Sequence, residues 1–297
     1  MSKMSKVYGE ANDSYTAKLR TKSMILTVWF IVLTIICLLP LYMLIINATR
    51  NTSQISNGIS VLPGSDLGNN LSTVFKGEMK LYYDAVSGYK NSLIITCCST
   101  ILTVFFSAMT AYGIQVYDFK LKEVSYTVVL LVMMVPMQVT SAGFVSFMNK
   151  LGLLNSYIPL IVPAVAAPAV VYFMRSYMKS SFPLEIVEAA RIDGCTELRT
   201  FVSIAIPMMK PAIAVQAIFA FIASWNNFYT PSMILVDGKT SKKTLPMMVQ
   251  ALQSSDTLND YGAVYMAIAL SIIPIVIAYV CLSRFIIAGV ALGGVKE

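Results

Sequence analysis

Six long stretches without a charged residue dominate this chain of 297 residues. In chain order they are residues 23–49, 91–117, 124–149, 151–174, 211–236 and 261–283. An α-helix needs roughly 20 apolar residues to cross the hydrocarbon of a bilayer, and one Lys or Asp at its centre costs about 2.5 to 3.5 kcal/mol. The sequence therefore predicts an all-α membrane protein with six transmembrane helices.

The composition supports the same class of protein. Hydrophobic residues make up 57% of the chain and charged residues only 12%, whereas charged residues are about a quarter of an average soluble domain. The net charge of +7 is compatible with nucleic-acid binding, but no basic cluster is interleaved with stacking aromatic residues. Lysines close to lipid headgroups explain the positive balance, so we expect membrane lipid and no nucleic acid among the partners.

The distribution of Lys and Arg predicts the orientation of the spans. With the N-terminus in the cytoplasm, 14 of the 22 Lys and Arg residues fall on the cytoplasmic side and the other 8 outside. Cytoplasmic loops carry the excess of positive residues, so both termini are predicted to be cytoplasmic. Lys239, Lys242 and Lys243 argue the other way, but they lie in one of seven flanking segments.

Residues 180–211, which we call the polar segment, lie between the fourth and fifth windows and contain several acidic and basic residues. Glu185 and Glu188 suit the first turns of a helix, where the positive end of the macrodipole favours acid, and Gly194 suits its end. On the charge distribution above, the polar segment faces the cytoplasm.

We expect the surface of another protein to approach this first helix closely. Ala189 and Ala190 have almost no side-chain bulk, and Glu188 supplies a carboxylate beside them. Apolar contacts from the same helix should contribute to docking, at Leu184, Val187 and Ala190.

A second short helix is expected after the turn at Gly194. Thr196 is a candidate N-cap, and Pro207 and Pro211 end the helix before the fifth window. The residues predicted to form its one apolar face recur at i, i+3, i+4 and i+7: Leu198, Phe201, Val202 and Ala205.

Several residues of the polar segment match a known pattern at fixed spacing: Glu188-Ala189-Ala190, Asp193-Gly194, Phe201 and Ile206-Pro207. With these residues the segment resembles the EAA loop in the membrane-spanning subunits of bacterial ABC importers. The C-terminal Gly293-Gly294-Val295-Lys296 is similar to the end of the smaller permease of the carbohydrate-uptake branch, the maltose-type G subunit. Cys195 stands where Ala is expected, which exchanges one small residue for another.

The resemblance implies the permease fold of type I ABC importers and a division of the chain into five parts. These are a cytoplasmic N-terminal segment (1–23), a first transmembrane helix (24–46), an extracytoplasmic loop (47–86), a permease core of five helices that includes the EAA loop at about 180–211 (87–285), and a cytoplasmic tail (286–297). The loop at 47–86 is expected to have little regular structure until Asn91-Ser92 opens the second span.

The resemblance also implies a function in sugar uptake, with an oligosaccharide as the expected substrate, in a bacterial cell membrane. The implied partners are a second permease subunit, two ATPase subunits and an extracytoplasmic substrate-binding protein. ATP and Mg²⁺ would belong to the ATPase, and no cofactor is expected in this chain. The implied ATPase-coupling residues are Glu188, Ala189, Ala190, Asp193, Gly194 and Pro207.

Polar residues inside the fifth window predict a translocation path. An unpaired amide in hydrocarbon costs a few kcal/mol, so Asn226 and Asn227 should face the protein or a water-filled path. Trp225 and Tyr229 are four residues apart and are expected on one helix face, where aromatic rings beside amides suit a sugar. An interhelical clamp and an interfacial aromatic belt remain open as alternatives. Gln138 is a weaker candidate, with helix packing the favoured role.

Catalysis and metal binding are not expected, because the chain has no histidine. The alternative function is a secondary transporter or channel that works without an ATPase. Such a protein should have a charged residue within the membrane to carry a coupling ion, and the six windows contain none. A scaffold protein would leave the polar segment unexplained.

Overall fold

The computed structural model describes the backbone of residues 2–76, 79, 83–253 and 260–293. Side chains are described for residues 19–76, 79, 83–136, 139–253, 260–281 and 283. Regular structure in these ranges is helical throughout, which confirms the all-α class. The α-helices are α1 (Ser2–Ala48), α2 (Thr52–Ser56), α3 (Leu67–Phe75), α4 (Ala85–Val116), α5 (Lys122–Met133), α6 (Met137–Lys150), α7 (Ile158–Ile161), α8 (Pro168–Ser181), α9 (Glu185–Ile192), α10 (Glu197–Thr200), α11 (Ile206–Met208), α12 (Lys210–Trp225), α13 (Tyr229–Ile234), α14 (Leu245–Gln253) and α15 (Tyr261–Gly293).

Fewer helices than expected are long and apolar enough to cross a membrane. Within the described ranges, four stretches are long and apolar enough to do so: Leu19–Ala48, Ala85–Val116, Ile158–Ser181 and Tyr261–Cys281. A bent pair, Glu197–Met208 followed by Lys210–Trp225, makes a fifth candidate with an angle of 80°. The expectation of six continuous spans is therefore not confirmed.

The third window contains two helices instead of one. Helix α5 ends at Met133 and α6 begins at Met137, with Pro136 as its N-cap. Proline lacks the N–H that a helix interior needs and disfavours the helical conformation of the residue before it, so no helix continues through this point. With 12 residues, α5 is roughly 18 Å long at about 1.5 Å per residue. It is too short to cross the hydrocarbon alone.

The fourth window also departs from a regular helix, and side chains of α4 supply hydrogen bonds to its irregular backbone. A 3₁₀ turn (Val162–Val165) interrupts the helix between α7 and α8. The Ser99 hydroxyl donates to the carbonyl oxygen of Leu160 at 3.2 Å, and the Thr103 hydroxyl donates to that of Ala164 at 2.9 Å. An irregular backbone in hydrocarbon needs such internal partners, because lipid supplies none.

The helices depart from the expected secondary structure at three places. The loop at 47–86 contains the two helices α2 and α3, so it is more regular than expected. The second span opens at Ala85, capped by Asp84, and Asn91 lies inside it, where its amide donates to the carbonyl oxygens of Ser241 at 2.8 Å and Lys243 at 3.0 Å. Helix α15 continues to Gly293, so part of the segment expected as the tail, 286–297, is helical. Residues 294–297, part of the C-terminal motif, lie outside the described ranges.

Residues 1–72 and 259–269 form one compact unit. Arg50 is buried in it and donates from Nη1 to Asn47 Oδ1 and to the carbonyl oxygen of Gly58, each at 3.1 Å. The Asn70 amide donates to the carbonyl oxygens of Ala48 and Arg50, both at 2.9 Å. These bonds satisfy the carbonyl oxygen of Ala48 at the end of α1 and those of Arg50 and Gly58 in the segment that follows.

Residues 73–258 and 270–297 form a second compact unit, in which α4 packs against α8 and α12. An apolar cluster holds this packing together and extends into the polar segment. Its buried members are Val104, Ala108, Ala111, Tyr112, Met174, Met178, Phe182, Val187, Phe201, Ala205, Met209 and Ala212. The polar segment is therefore anchored on the same core as the apolar helices.

Gly262 provides a test of packing in the first unit. A Cβ atom at this position would clash with the carbonyl oxygen of Arg50 and lie 2.7 Å from Asn70 Oδ1. Since crowding of this kind typically costs about 1 to 3 kcal/mol, we expect Gly262→Ala to lower the thermal unfolding midpoint of the purified protein in detergent. Gly68→Ala is the matched control, because a Cβ there meets nothing within 4 Å. Equal midpoints for the two variants would contradict this packing.

Candidate functional site

Helix α9 begins and ends as the sequence predicts. Glu185 and Glu188 lie in its first turn, where they complement the helix dipole. Asp193 is its C-cap, and Gly194 follows with a φ of +75°, a left-handed conformation that favours glycine. The Cys195 N–H donates to the carbonyl oxygen of Ala190 at 2.9 Å and closes the turn.

The two faces of α9 have different environments. Val187 is 1% exposed and Ala190 is 5% exposed, and Val187 belongs to the apolar cluster. Val187 and Ala190 therefore pack against this chain and are not free to contact a partner, which corrects the expectation for both residues. The opposite face is uncovered and consists of Glu185, Glu188, Ala189 and Ile192.

Ile192 is the unexpected member of the exposed face. Its side chain is 86% exposed, although isoleucine is one of the residues most often found in protein cores. Leu184, just before the helix, is also exposed. Sequence reasoning missed Ile192, because the spacing of apolar residues in so short a helix does not show which of them the core covers.

The helix after the turn exposes half of its predicted apolar face. The Thr196 hydroxyl caps α10 by accepting from the Arg199 N–H at 3.4 Å, as predicted. Phe201 and Ala205 are buried, but Leu198 is 67% exposed and Val202 46% exposed. A π-helical segment (Phe201–Ala205) follows α10. Its wider turn changes the register of the residues after it relative to an α-helix.

Pro207 lies just before the break that precedes α12. This residue lies in α11 and is exposed, and the stretch that contains it meets α12 at an angle of 80°. Pro207 therefore lies close to the point where the polar segment turns into the apolar helix.

Sequence reasoning also missed three side chains that join the polar segment to the end of α4. The Tyr117 hydroxyl donates to Glu197 Oε2 at 2.8 Å, and Arg191 Nε donates to Glu197 Oε1 at 2.8 Å. The Arg191 guanidinium lies 5.7 Å from the centre of the Tyr117 ring. Tyr117 and Glu197 are 80 residues apart, so no local pattern could have indicated the contact.

These contacts fix the charge states of the three groups. The hydrogen bond from Arg191, followed by that from Tyr117, lowers the pKa of the Glu197 carboxyl. Desolvation, followed by the hydrogen bond to Glu197, raises the pKa of Tyr117 to about 12. A carboxyl group with a lowered pKa keeps its full contribution above its unfolded value of about 4.3 and loses it only as the pH falls through the lower folded value. The set therefore keeps one charge state across neutral pH.

The candidate path residues lie at a second break. Helix α12 ends at Trp225, Asn226 is its C-cap, and α13 begins at Tyr229. The Asn227 side chain accepts from the Thr230 N–H at 3.2 Å and so starts the next helix. Trp225 and Tyr229 are therefore on different helices, and the expectation that they share one face was wrong. Asparagine competes with helical hydrogen bonding in this way when its side chain caps a neighbouring N–H.

The two aromatic candidates, Trp225 and Tyr229, have different environments in the structure. Trp225 is 2% exposed, donates from Nε1 to the carbonyl oxygen of Ser271 at 3.1 Å and stacks on Phe221 at 5.9 Å. Its ring is thus enclosed by this chain. The side chain of Tyr229 is exposed, with its hydroxyl 3.0 Å from Ser141 Oγ.

The Ser141–Tyr229 contact connects the helices that follow the two breaks, α6 and α13. Ser141 was not among the predicted residues, although it lies in the polar run after Pro136. Gln138 lies in the first turn of α6, and its side chain is outside the described residues. Asn226 and Tyr229 are exposed and Asn227 is half-buried. Exposed amide, hydroxyl and ring groups are therefore gathered at one interrupted part of the apolar helices.

Comparison with known proteins identifies the family of this chain. Residues 103–291 match the family described as "Binding-protein-dependent transport system inner membrane component". The chain is 35% identical to the arabinooligosaccharides transport system permease protein AraQ of Halalkalibacterium halodurans, over 92% of this chain and 96% of that protein. It is 31% identical to the lactose transport system permease protein LacG of Rhizobium radiobacter, over 86% of this chain and 90% of that protein.

One further relative and one solved structure extend the comparison. The trehalose/maltose transport system permease protein MalG of Thermococcus litoralis is 29% identical over 93% of this chain and 97% of that protein. A crystal structure of a bacterial ABC transporter involved in the import of the acidic polysaccharide alginate contains a chain of the same fold, with a TM-score of 0.74 and 20% identity over 89% of this chain and 96% of that one. On the family match and these relatives, this chain belongs to the inner membrane components of binding-protein-dependent transport systems.

Proposed function

We propose that this chain is the permease subunit of an ATP-driven importer that carries a sugar, in particular an oligosaccharide, into the cell. The names of its relatives support the substrate class, since they specify arabinooligosaccharides, lactose and trehalose or maltose. The chain would form half of the translocation path beside a second permease subunit. Two ATPase subunits would supply ATP, Mg²⁺ and the energy, and an extracytoplasmic binding protein would deliver the sugar.

The exposed face of α9 is the observation that carries this proposal. We call the residues Glu185, Glu188, Ala189 and Ile192 the docking face. Buried Val187 on the other side fixes the helix to the core, so a load applied to the docking face reaches the apolar helices. An amphipathic helix presented in this way suits a groove on a partner.

The magnitudes indicate which docking contact dominates. Burying an isoleucine side chain contributes about 1.5 to 3 kcal/mol, and Ile192 has nearly all of its side chain available. One partly exposed ion pair at Glu188 contributes about 0.2 to 1 kcal/mol. The ATPase groove should therefore have an apolar pocket for Ile192 and basic residues around it for Glu185 and Glu188.

The remaining EAA residues have supporting roles in this proposal. Ala189 lets the groove wall approach the helix, because its side chain is a single methyl group. Asp193 and Gly194 close the turn that returns the chain to the core, and Gly194 has the left-handed φ that this return requires. Pro207 lies near the bend through which the polar segment is joined to α12.

We propose that sugar passes the break between α12 and α13. Discontinuous helices form the substrate sites of many transporters, since unwound backbone and polar side chains are then available within the membrane. Asn226, Asn227 and Tyr229 supply amide and hydroxyl groups there, and Trp225 supports the break from behind. Gln138, in the first turn of the helix that carries Ser141, is a further candidate.

The orientation that we propose places both termini and the polar segment in the cytoplasm of a bacterial cell. This is the side where an ATPase has access to ATP. The excess of Lys and Arg on that side supports it. Nothing in the comparisons supports the alternative of a transporter or channel that works without an ATPase.

The first prediction concerns the docking face. Ile192→Asp should abolish co-purification of the ATPase, because it removes the largest apolar contact and adds a charge to the pocket. Glu188→Lys should weaken binding strongly by repulsion from the basic groove, whereas Glu188→Ala should cost at most about fivefold in affinity, as one exposed ion pair implies. Asp118→Lys, a charge reversal at an exposed site near the end of α4, is the control. Normal co-purification with Ile192→Asp would refute the docking face.

The second prediction concerns the path. Asn226→Leu should leave the complex assembled and reduce sugar uptake into proteoliposomes by about tenfold, the effect of leaving one substrate hydroxyl without its hydrogen bond. Asn149→Leu, the same exchange at the end of α6, should transport normally. If Asn226→Leu instead dissociates the complex, the amide is an interhelical clamp and the path proposal fails at this residue.

The third prediction concerns topology. In a variant without the five native cysteines, single cysteines at Leu198 and at Gly68 should react with an impermeant thiol reagent from opposite sides of the membrane. Both positions are exposed in the structure, so access of the reagent depends on the side alone. Labelling of both from outside intact cells would exclude the proposed orientation.

A further inference from the structure

We propose that Tyr117, Arg191 and Glu197 form a latch that transmits movement of the docked helix α9 to α4. The inference rests on the proposed function, because it presupposes that an ATPase moves α9. It assigns a positioning role to three residues outside the EAA pattern. None of them is expected to touch substrate or nucleotide.

The latch joins three separate elements of the second unit. Arg191 lies in the last turn of α9, Glu197 is the first residue of α10, and Tyr117 is the C-cap of α4. Glu197 is the centre, since each of its two oxygens accepts one hydrogen bond at 2.8 Å. A displacement of α9 or α10 therefore acts directly on the end of α4.

The position of Arg191 connects the latch to the docking face. Arg191 is the neighbour of Ile192 in the same helical turn, so a force applied at Ile192 reaches the guanidinium without an intervening flexible segment. Helix α4, which the latch joins through Tyr117, packs against α8 and α12. Helix α12 ends at Trp225, beside the proposed sugar path.

The latch contributes little to the stability of the fold. The side chains of Arg191 and Glu197 are 39% and 44% exposed, and ion pairs at such positions are weak. The polar segment is held independently by apolar packing, in which Tyr112 lies 5.3 Å from Phe201 and 6.4 Å from Phe182, centre to centre. A contact that can be broken without unfolding its surroundings is suited to transmit or release movement.

The Tyr117 hydroxyl can be removed without disturbing the ring. The ring packs edge-on against Tyr112 at 6.1 Å and lies near the Arg191 guanidinium. Tyr117→Phe keeps these ring contacts and deletes only the hydrogen bond to Glu197. Glu197→Gln keeps the shape of that side chain and removes its charge.

The experiment uses the complete transporter, reconstituted in proteoliposomes with its ATPase and binding protein. For Tyr117→Phe and Glu197→Gln we expect unchanged ATPase co-purification and an unchanged thermal unfolding midpoint. Substrate-stimulated ATP hydrolysis should fall by about threefold to tenfold, in line with the loss of one hydrogen bond at a half-exposed site. The amount of sugar transported per ATP should also fall.

Two double variants test whether the three residues act as one unit. Tyr117→Phe combined with Glu197→Gln should be no worse than the more severe single variant, because both changes act on the contacts of the same carboxylate. Exchange of the two charges, Arg191→Glu with Glu197→Arg, restores an ion pair but not an acceptor for Tyr117. We expect this exchange to remain defective, and full recovery would refute the role of Tyr117.

Matched controls separate a latch from a structural brace. Asp118→Asn removes an exposed carboxylate beside Tyr117, and Tyr172→Phe removes a hydroxyl from an exposed ring on α8. Both should behave like the wild type. Full coupling in Tyr117→Phe and Glu197→Gln, or a lower unfolding midpoint with loss of the ATPase, would overturn the latch. Failure of the proposed function would give a different result from failure of the latch, because in that case the wild-type protein itself would not bind an ATPase.

Discussion

Every backbone N–H and C=O that leaves a helix inside hydrocarbon needs a partner from the protein, because lipid offers none. This chain interrupts its apolar helices repeatedly and meets the requirement with short polar side chains. Thr103 bonds the carbonyl oxygen of Ala164, and Asn227 caps the first turn of α13. The polar residues in the apolar windows therefore maintain the breaks, and the break after α12 leaves the side chain of Asn226 exposed.

Helix α9, outside the apolar helices, also has some residues that hold the structure and others that are left exposed. Val187 lies in the core, whereas Ile192 on the opposite face is 86% exposed. An isolated helix of eight residues would not be stable in water, so the buried face is what keeps the exposed one in a defined shape. A partner that binds this helix meets a preformed surface and loses little free energy in ordering it.

The class of fold could be predicted from the sequence because the absence of charge over some 20 residues determines partition into a bilayer. The helix breaks within the apolar windows were not predicted. Window 124–149 was expected to be one helix although it contains Pro136, and the capping role of Asn227 depends on the competition between one side chain and the helix backbone. Apolar spacing identified Phe201 as a core residue and could not show that Ile192 is exposed. The Tyr117–Glu197 contact joins residues 80 positions apart, which only the folded chain brings together.

The strengths of the two kinds of contact in the polar segment suggest how it works. Each large apolar side chain in the cluster around Phe201 contributes about 1.5 to 3 kcal/mol when buried. The cluster as a whole therefore stabilises the polar segment far more than any single polar contact does. The half-exposed pair of Arg191 and Glu197 is worth about 1 kcal/mol or less. Load on Ile192 should therefore move the polar segment without unfolding its core. The hydrogen bonds of Glu197 with Tyr117 and Arg191 should then pass this movement on to the end of α4.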